Sequence, residues 1–172
     1  MMLKKISFLL IIIAGFALSS CQPDKGNKFA IYLLAQDIPA TKLSQMDINQ
    51  LVIQEQPVIS NDDILSYDKA THTIELTQEA YIRIQQIFPM PVKVAGIPFV
   101  VCVGDERIYT GAFMTPVSSI SYDGVVISQP FDTTKTTIQI ALGYPGQGAF
   151  TGGDPRGDSR IINALEQSKK LK

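Results

Sequence analysis

The stretch Thr151-Gly152-Gly153-Asp154-Pro155-Arg156-Gly157-Asp158-Ser159-Arg160 crowds glycines, carboxylates and guanidinium groups into ten positions. Several readings compete for it. A phosphate cradle of the Walker kind needs a lysine and a hydroxyl directly after its last glycine. Here Asp154-Pro155 follow Gly153 and put negative charge where a phosphate would sit. Gly146-Gln147-Gly148 fails the dinucleotide pattern, because Thr151 replaces the third small residue. Arg156-Gly157-Asp158 spells an adhesion triplet, which requires a protruding loop. Plain chain architecture accounts for more of the residues. Asp154, Pro155 and Gly157 suit the first, second and fourth positions of a type I turn, and Asp158 stands where a helix N-cap belongs. Asp154, Arg156 and Asp158 are the residues of this stretch available to a ligand or partner.

Elsewhere the chemical inventory is thin. His72 is the single histidine, set between two threonines, and no Gly-x-Ser-x-Gly elbow accompanies it. One histidine and one spare cysteine cannot make the usual zinc clusters, so no metal and no cofactor is expected. Cys102 lies in the apolar run PFVVCV without a neighbouring cation and reads as a small buried hydrophobe. Asp62-Asp63 lacks calcium-loop spacing and reads as a solvated helix start. Ser118-Ser119 reads as a turn. Carboxylate pairs of the glycosidase kind need not be adjacent in sequence, so a cell-wall hydrolase stays as an alternative. The expectation is a protein that is not an enzyme.

Cys21 offers a different chemistry. Lys4 and Lys5 precede an apolar run from Ile6 to Ala17, about a dozen residues, which is signal-peptide length and short of the roughly 20 needed to span a bilayer. The run ends in Leu18-Ser19-Ser20-Cys21, which resembles the lipobox of bacterial lipoproteins. The resemblance implies a diacylglycerol on the Cys21 thiol and cleavage of the Ser20–Cys21 bond. It places the mature protein in the cell envelope, on the extracytoplasmic side, attached to the membrane through acyl chains. Gln22 follows, so the aspartate that retains some lipoproteins at the inner membrane is absent, favouring the outer membrane of a two-membrane cell.

Residues 1–20 are thus a leader, 21–27 a lipidated start with a short linker, and 28–172 one domain. The formal charge of −1 includes the two leader lysines, leaving −3 for the mature chain. No basic stripe points to nucleic acid. FAIYLLA (29–35) reads as a strand buried on both faces, and LVI (51–53) as a short second one. Ser60 with Asp63 resembles a helix start. HTIEL (72–76) reads as a strand ended by Thr77, which caps a helix with Ala80, Ile84, Ile87 and Phe88 on its apolar face. Pro89 and Pro91 stop that helix. PFVVCV and ERIYTGAF form a hairpin about Gly104-Asp105. Asp123-Gly124 signals a turn before VVIS. TTIQIAL (136–142) alternates, with Ile138, Ile140 and Leu142 on one side. RIINALEQSKK closes the chain as a helix, with Ile161, Leu165 and either Ile162 or Ser168 available to the core face. Strands outnumber helices, which predicts an α+β domain: a mostly antiparallel sheet with two main helices packed on one side.

Within residues 57–128, PVISNDDI, HTIELTQEAYIRI, GIPFVVCVGDERIY and SSISYDGVVI resemble the head part of the first periplasmic domain of SecD-type translocation proteins. Thr77 and Glu79 match the start of that family's helix. The resemblance implies a compact α+β head at the outer face of a membrane that binds unfolded or partner polypeptide, with no catalytic residues. SecD proteins continue into six membrane helices, and this sequence has no second long apolar run, so their transport role does not carry over. The reading is therefore a non-enzymatic envelope lipoprotein that binds a protein or peptide, with LVI or VVIS as an edge for strand addition. A small-ligand-binding lipoprotein, with residues 143–153 as a flexible lid, is the alternative.

Overall fold

A computed structural model describes residues 26–88 and 90–172. The expected leader, Cys21 and Pro89 lie outside the described residues. The chain forms β1 (Phe29–Leu33), β2 (Ile64–Asp68), β3 (Thr73–Leu76), α1 (Gln78–Gln86), β4 (Ile97–Val103), β5 (Glu106–Met114), β6 (Tyr122–Ser128), β7 (Thr137–Tyr144) and α2 (Ser159–Gln167). The strands join one seven-stranded sheet in the order β1-β4-β5-β6-β7-β3-β2. Among the described strands, only the β5–β6 pair is parallel. This is the α+β architecture the strand-rich pattern predicts, and none of the described helices is long and apolar enough to cross a membrane.

Two apolar layers explain the stack. Alternate residues of β1 and β4 point to opposite faces. Phe29, Ile31, Phe99 and Val101 join a core completed by Ala80, Tyr81 and Ile84 of α1 and Ile161, Ala164 and Leu165 of α2. Both helices therefore cover the same face. Ala30, Tyr32, Val100 and Cys102 belong to a second core on the other face, where Ala40, Leu43 and Leu51 close over them. Those three come from the stretch 38–53, built of two short 3-10 turns. Arg107 on β5 clamps it, donating to the carbonyls of Ile48 and Leu51 at 2.6 Å each.

Local signals behave as their chemistry requires. Thr77 accepts a bond from the Ala80 amide and starts α1. The helix ends at Gln86, so Ile87 and Phe88 reach the core from just beyond it. Val103 faces Glu106 across a two-residue turn with Gly104 at φ +60°, a conformation that favours glycine. Ile138, Ile140 and Leu142 are buried along β7, while Thr137 and Gln139 are exposed.

Three expectations are corrected. Asp123-Gly124 is not a turn but lies within β6. The register passes from Tyr122↔Tyr144 to Val125↔Leu142, so β6 carries one extra residue, a bulge. LVI is not a strand. It makes one isolated bridge, Leu34↔Ile53, because its backbone serves to hold the 38–53 cover beside β1. The helix start at Ser60 yields a single 3-10 turn, Asn61–Asp63, with a complete capping box. Ile64 and Tyr67 then go to the core as strand residues and end it.

Among the described glycines, Gly111, opposite Phe99, leaves the least room for a side chain. A Cβ there would overlap the Phe99 ring and come within 2.7 Å of the Val125 carbonyl oxygen. Phe99 cannot retreat, because Phe113 packs against it at 5.1 Å between centroids. Gly111→Ala is expected to lower stability by about 1–3 kcal/mol, the usual penalty for overpacking, read as a reduced midpoint in urea denaturation.

Candidate functional site

The glycine- and charge-rich stretch before α2 folds back on itself. Its turn is closed by the Asp158 amide on the Pro155 carbonyl at 3.2 Å, one residue later than the sequence pattern indicated. The shift has a clear cause. The Asp154 carboxylate turns toward Arg156 and accepts from its amide at 3.0 Å, its Nε at 2.9 Å and its Nη2 at 2.7 Å. Arg156 Nη1 donates to the Ile140 carbonyl on β7 at 2.8 Å, and the Arg156 side chain is only 14% exposed. Asp158 caps α2 through the Arg160 amide and pairs with the Arg160 guanidinium, Nη2 to Oδ2 at 2.7 Å. Neither charged side chain of Arg156-Gly157-Asp158 is held out as an adhesion loop would hold it.

The fold brings His72 to the same place. His72 sits at φ +52° in the β2–β3 hairpin, and its Nδ1 shares a 2.8 Å hydrogen bond with the Tyr67 hydroxyl. Arg156 and Asp154 act electrostatically on both residues and on Tyr109 of β5. The hydrogen bonds from the Arg156 side chain hold the Asp154 carboxyl down to about 2. Burial raises Tyr67 to about 12 and pushes Tyr109 up. Burial, then the Arg156 charge, lowers His72 and favours its neutral form. The result is a charge-balanced latch that fastens the segment before α2 to β7 and stands beside the β2–β3 hairpin. Nothing in it presents an activated nucleophile. Tyr67 and Tyr109 were missed in sequence because only the paired sheet brings them near Arg156.

The other flagged residues have structural partners. Asp63 pairs with Arg83 at 2.6 Å, and Asp62 with Lys28 at 3.8 Å. The Ser118 hydroxyl donates to the Val94 carbonyl at 2.6 Å. Cys102 is buried. Among the described residues, no three His, Cys, Asp or Glu side chains form a group able to hold a metal ion. Residues 143–153 are pinned: Phe150 packs on the core, and both the amide and hydroxyl of Thr151 donate to Asp123. That anchoring is unlike a hinged lid. VVIS lies inside β6 between β5 and β7, so it offers no edge, and LVI flanks β1.

Of the exposed large apolar residues, Met46, Val52, Leu65 and Ile82 are spread over other elements and four sit on neighbouring connections. Met90, Val94, Val117 and Phe131 are 87%, 44%, 68% and 63% exposed. They belong to the connections 87–96, 115–121 and 129–136, which reach or leave the sheet where β4 begins and β5 and β6 finish. Ser118 ties the second connection to the first through Val94. Beside them a cleft of about 510 Å3 opens between Ile38, Pro39 and Val92–Pro98, with the Asp37–Lys93 ion pair, 2.8 Å, on its lining. The sequence signal was available: Met90 stands between two prolines, and Phe131 between Pro130 and Asp132, so each is a large apolar residue among turn formers.

Against known proteins the chain matches no family model, no curated protein and no solved structure.

The latch sets a pH dependence. A carboxyl whose folded-state value lies below its unfolded one stabilises the fold fully above about pH 4, and that contribution fades as the pH falls toward 2. The Asp154 side chain is 42% exposed, so solvent screening trims the effect to about 1 kcal/mol. Asp154→Asn should cost about that much at pH 7, with the gap to the parent closing between pH 4 and 2 in urea titrations.

Proposed function

We propose that the protein is a lipid-anchored lipoprotein of the cell envelope whose domain binds a protein or peptide partner without catalysing a reaction. The observation that carries this reading is the position of the exposed apolar loops relative to the point where the chain enters the domain. Phe29 opens β1 opposite Val103, the last residue of β4. Gly26 and Lys28 lie against Gly104 at that end. The connections bearing Met90, Val94, Val117 and Phe131 meet the sheet at the other end of β4, seven residues or about 20 Å away. A tether on Cys21, followed by a linker of at most about 20 Å, holds the entry end near the bilayer and turns the apolar loops outward. Apolar side chains mark a contact site where they gather into one patch, and the Ser118 bond to the Val94 carbonyl brings two of these connections together. The resemblance of residues 57–128 to the SecD head, carried by Thr77, Glu79 and the β4–β5 hairpin, points toward polypeptide as the partner.

A photo-crosslinking residue at Val117 or Phe131 should capture a defined protein partner in native membranes. The same group at Asp105, near the entry end, should capture none, and Cys21→Ala should release the protein to the soluble fraction. Equal labelling from both ends, or lipid adducts alone from the loops, contradicts the proposal.

The cleft beside Val92–Pro98 favours a second reading, a small-ligand carrier, since its size falls in the range of ligand sites. A ligand held there stabilises the fold with increasing concentration. Melting curves that stay flat across metabolite sets speak against it.

A further inference from the structure

The two outer edges of the sheet are closed very differently. Along β1, residues 52–59 supply five backbone bonds: Ile31 and Ala35 donate to Ile59 and Val52, Val58 and Ile59 donate to Ile31, and Gln54 donates to Leu33. Along β2, closure rests on residues 170–172. The Tyr67 amide donates to the Lys170 carbonyl at 2.7 Å, and the Lys172 amide donates to the Tyr67 carbonyl at 2.8 Å. This is a single parallel bridge, Tyr67↔Leu171. Leu171 adds a partly buried contact with the core, and Lys172 reaches Glu75 at 3.1 Å.

The segment meets the edge by leaving α2 sharply. Lys169 adopts φ +58°, a left-handed conformation that side chains resist, while its amide and that of Lys170 bond back to Glu166 and Leu165. One neighbouring residue of β2, Leu65, is 51% exposed. Ser66, Asp68, Thr73, Glu75 and Thr137 line a shallow polar recess of about 240 Å3, with Lys172 as one wall.

We propose that the outer edge of β2 is an acceptor for an extended polypeptide segment, and that residues 170–172 are a displaceable clip occupying it. The clip is the template for the partner. Such a segment takes the two backbone bonds of Tyr67, seats an apolar side chain where Leu171 packs, and flanks it with lysine or arginine facing Glu75 and Asp68. Strand addition of this kind draws affinity from main-chain bonds and selectivity from alternate side chains. A short closure held by two backbone bonds opens far more readily than the core. This surface is separate from the apolar loops, so its failure leaves the loop reading untouched.

The test uses the full chain carrying Leu171→Asp and Lys172→Pro, which removes the side chain filling the apolar seat and one backbone donor. A labelled peptide of sequence Gln-Ser-Lys-Lys-Leu-Lys is titrated by fluorescence anisotropy, beside the same peptide with aspartate in place of leucine. The loosened protein should bind the leucine peptide at least tenfold more tightly than the parent does and discriminate against the aspartate peptide. Absence of binding at millimolar peptide, or equal binding of both peptides, overturns the proposal. Amide exchange on the parent protein tests it without any substitution. The Tyr67 and Lys172 amides should exchange at least a hundredfold faster than the Ile31 amide, and equal protection of the two edges overturns the proposal.

Discussion

A strand that is apolar on both faces has to be covered twice. β4 imposes this constraint, because Phe99 and Val101 face one way while Val100 and Cys102 face the other, all of them buried. The two helices satisfy one side, and the irregular stretch 38–53 satisfies the other. Irregular backbone is a costly cover, since its amides and carbonyls need partners. Here the chain just beyond β1 and Arg107 provide them, through Ala35 on Val52 and the paired bonds to Ile48 and Leu51.

The charged residues serve the same economy of closure. Asp154 and Arg156 neutralise each other beside two buried tyrosines, while burial and then the Arg156 charge lower His72 and favour its neutral form. Asp63 fixes the turn before β2 and reaches Arg83 on α1. These ion pairs join elements, and the contact surfaces proposed above are the apolar loop tips and the lightly closed sheet edge.

Sequence reasoning read the elements well where one physical signal acted alone. Thr77 starts a helix because its hydroxyl takes an orphan amide, and Gly104-Asp105 turns because glycine accepts positive φ. The alternation in β7 survives as burial. It failed where a local signal was overruled. Asp123-Gly124 became a bulge since the strand continues through it to pair with β7, and LVI lost strand status to the task of covering β1. The site residues Asp154, Arg156, Asp158 and His72 were legible singly. Their grouping was not, and Tyr67 and Tyr109 carried no local mark at all.

What the sequence by itself determined were the segments whose cause lies within a few residues: the capped starts of α1 and α2, the β4–β5 hairpin, the two-faced apolar strands and the α+β class they imply. What only the tertiary structure decided were the strand order, the parallel step from β5 to β6, the latch joining the segment before α2 to β7, and the contrast between a firmly and a lightly closed edge. The division has a physical reason. Caps, turns and periodicity are set by bonds and sterics between near neighbours, whereas Arg156 meets Ile140 and Leu171 meets Tyr67 only after burial of both faces of the sheet has chosen which strands lie side by side.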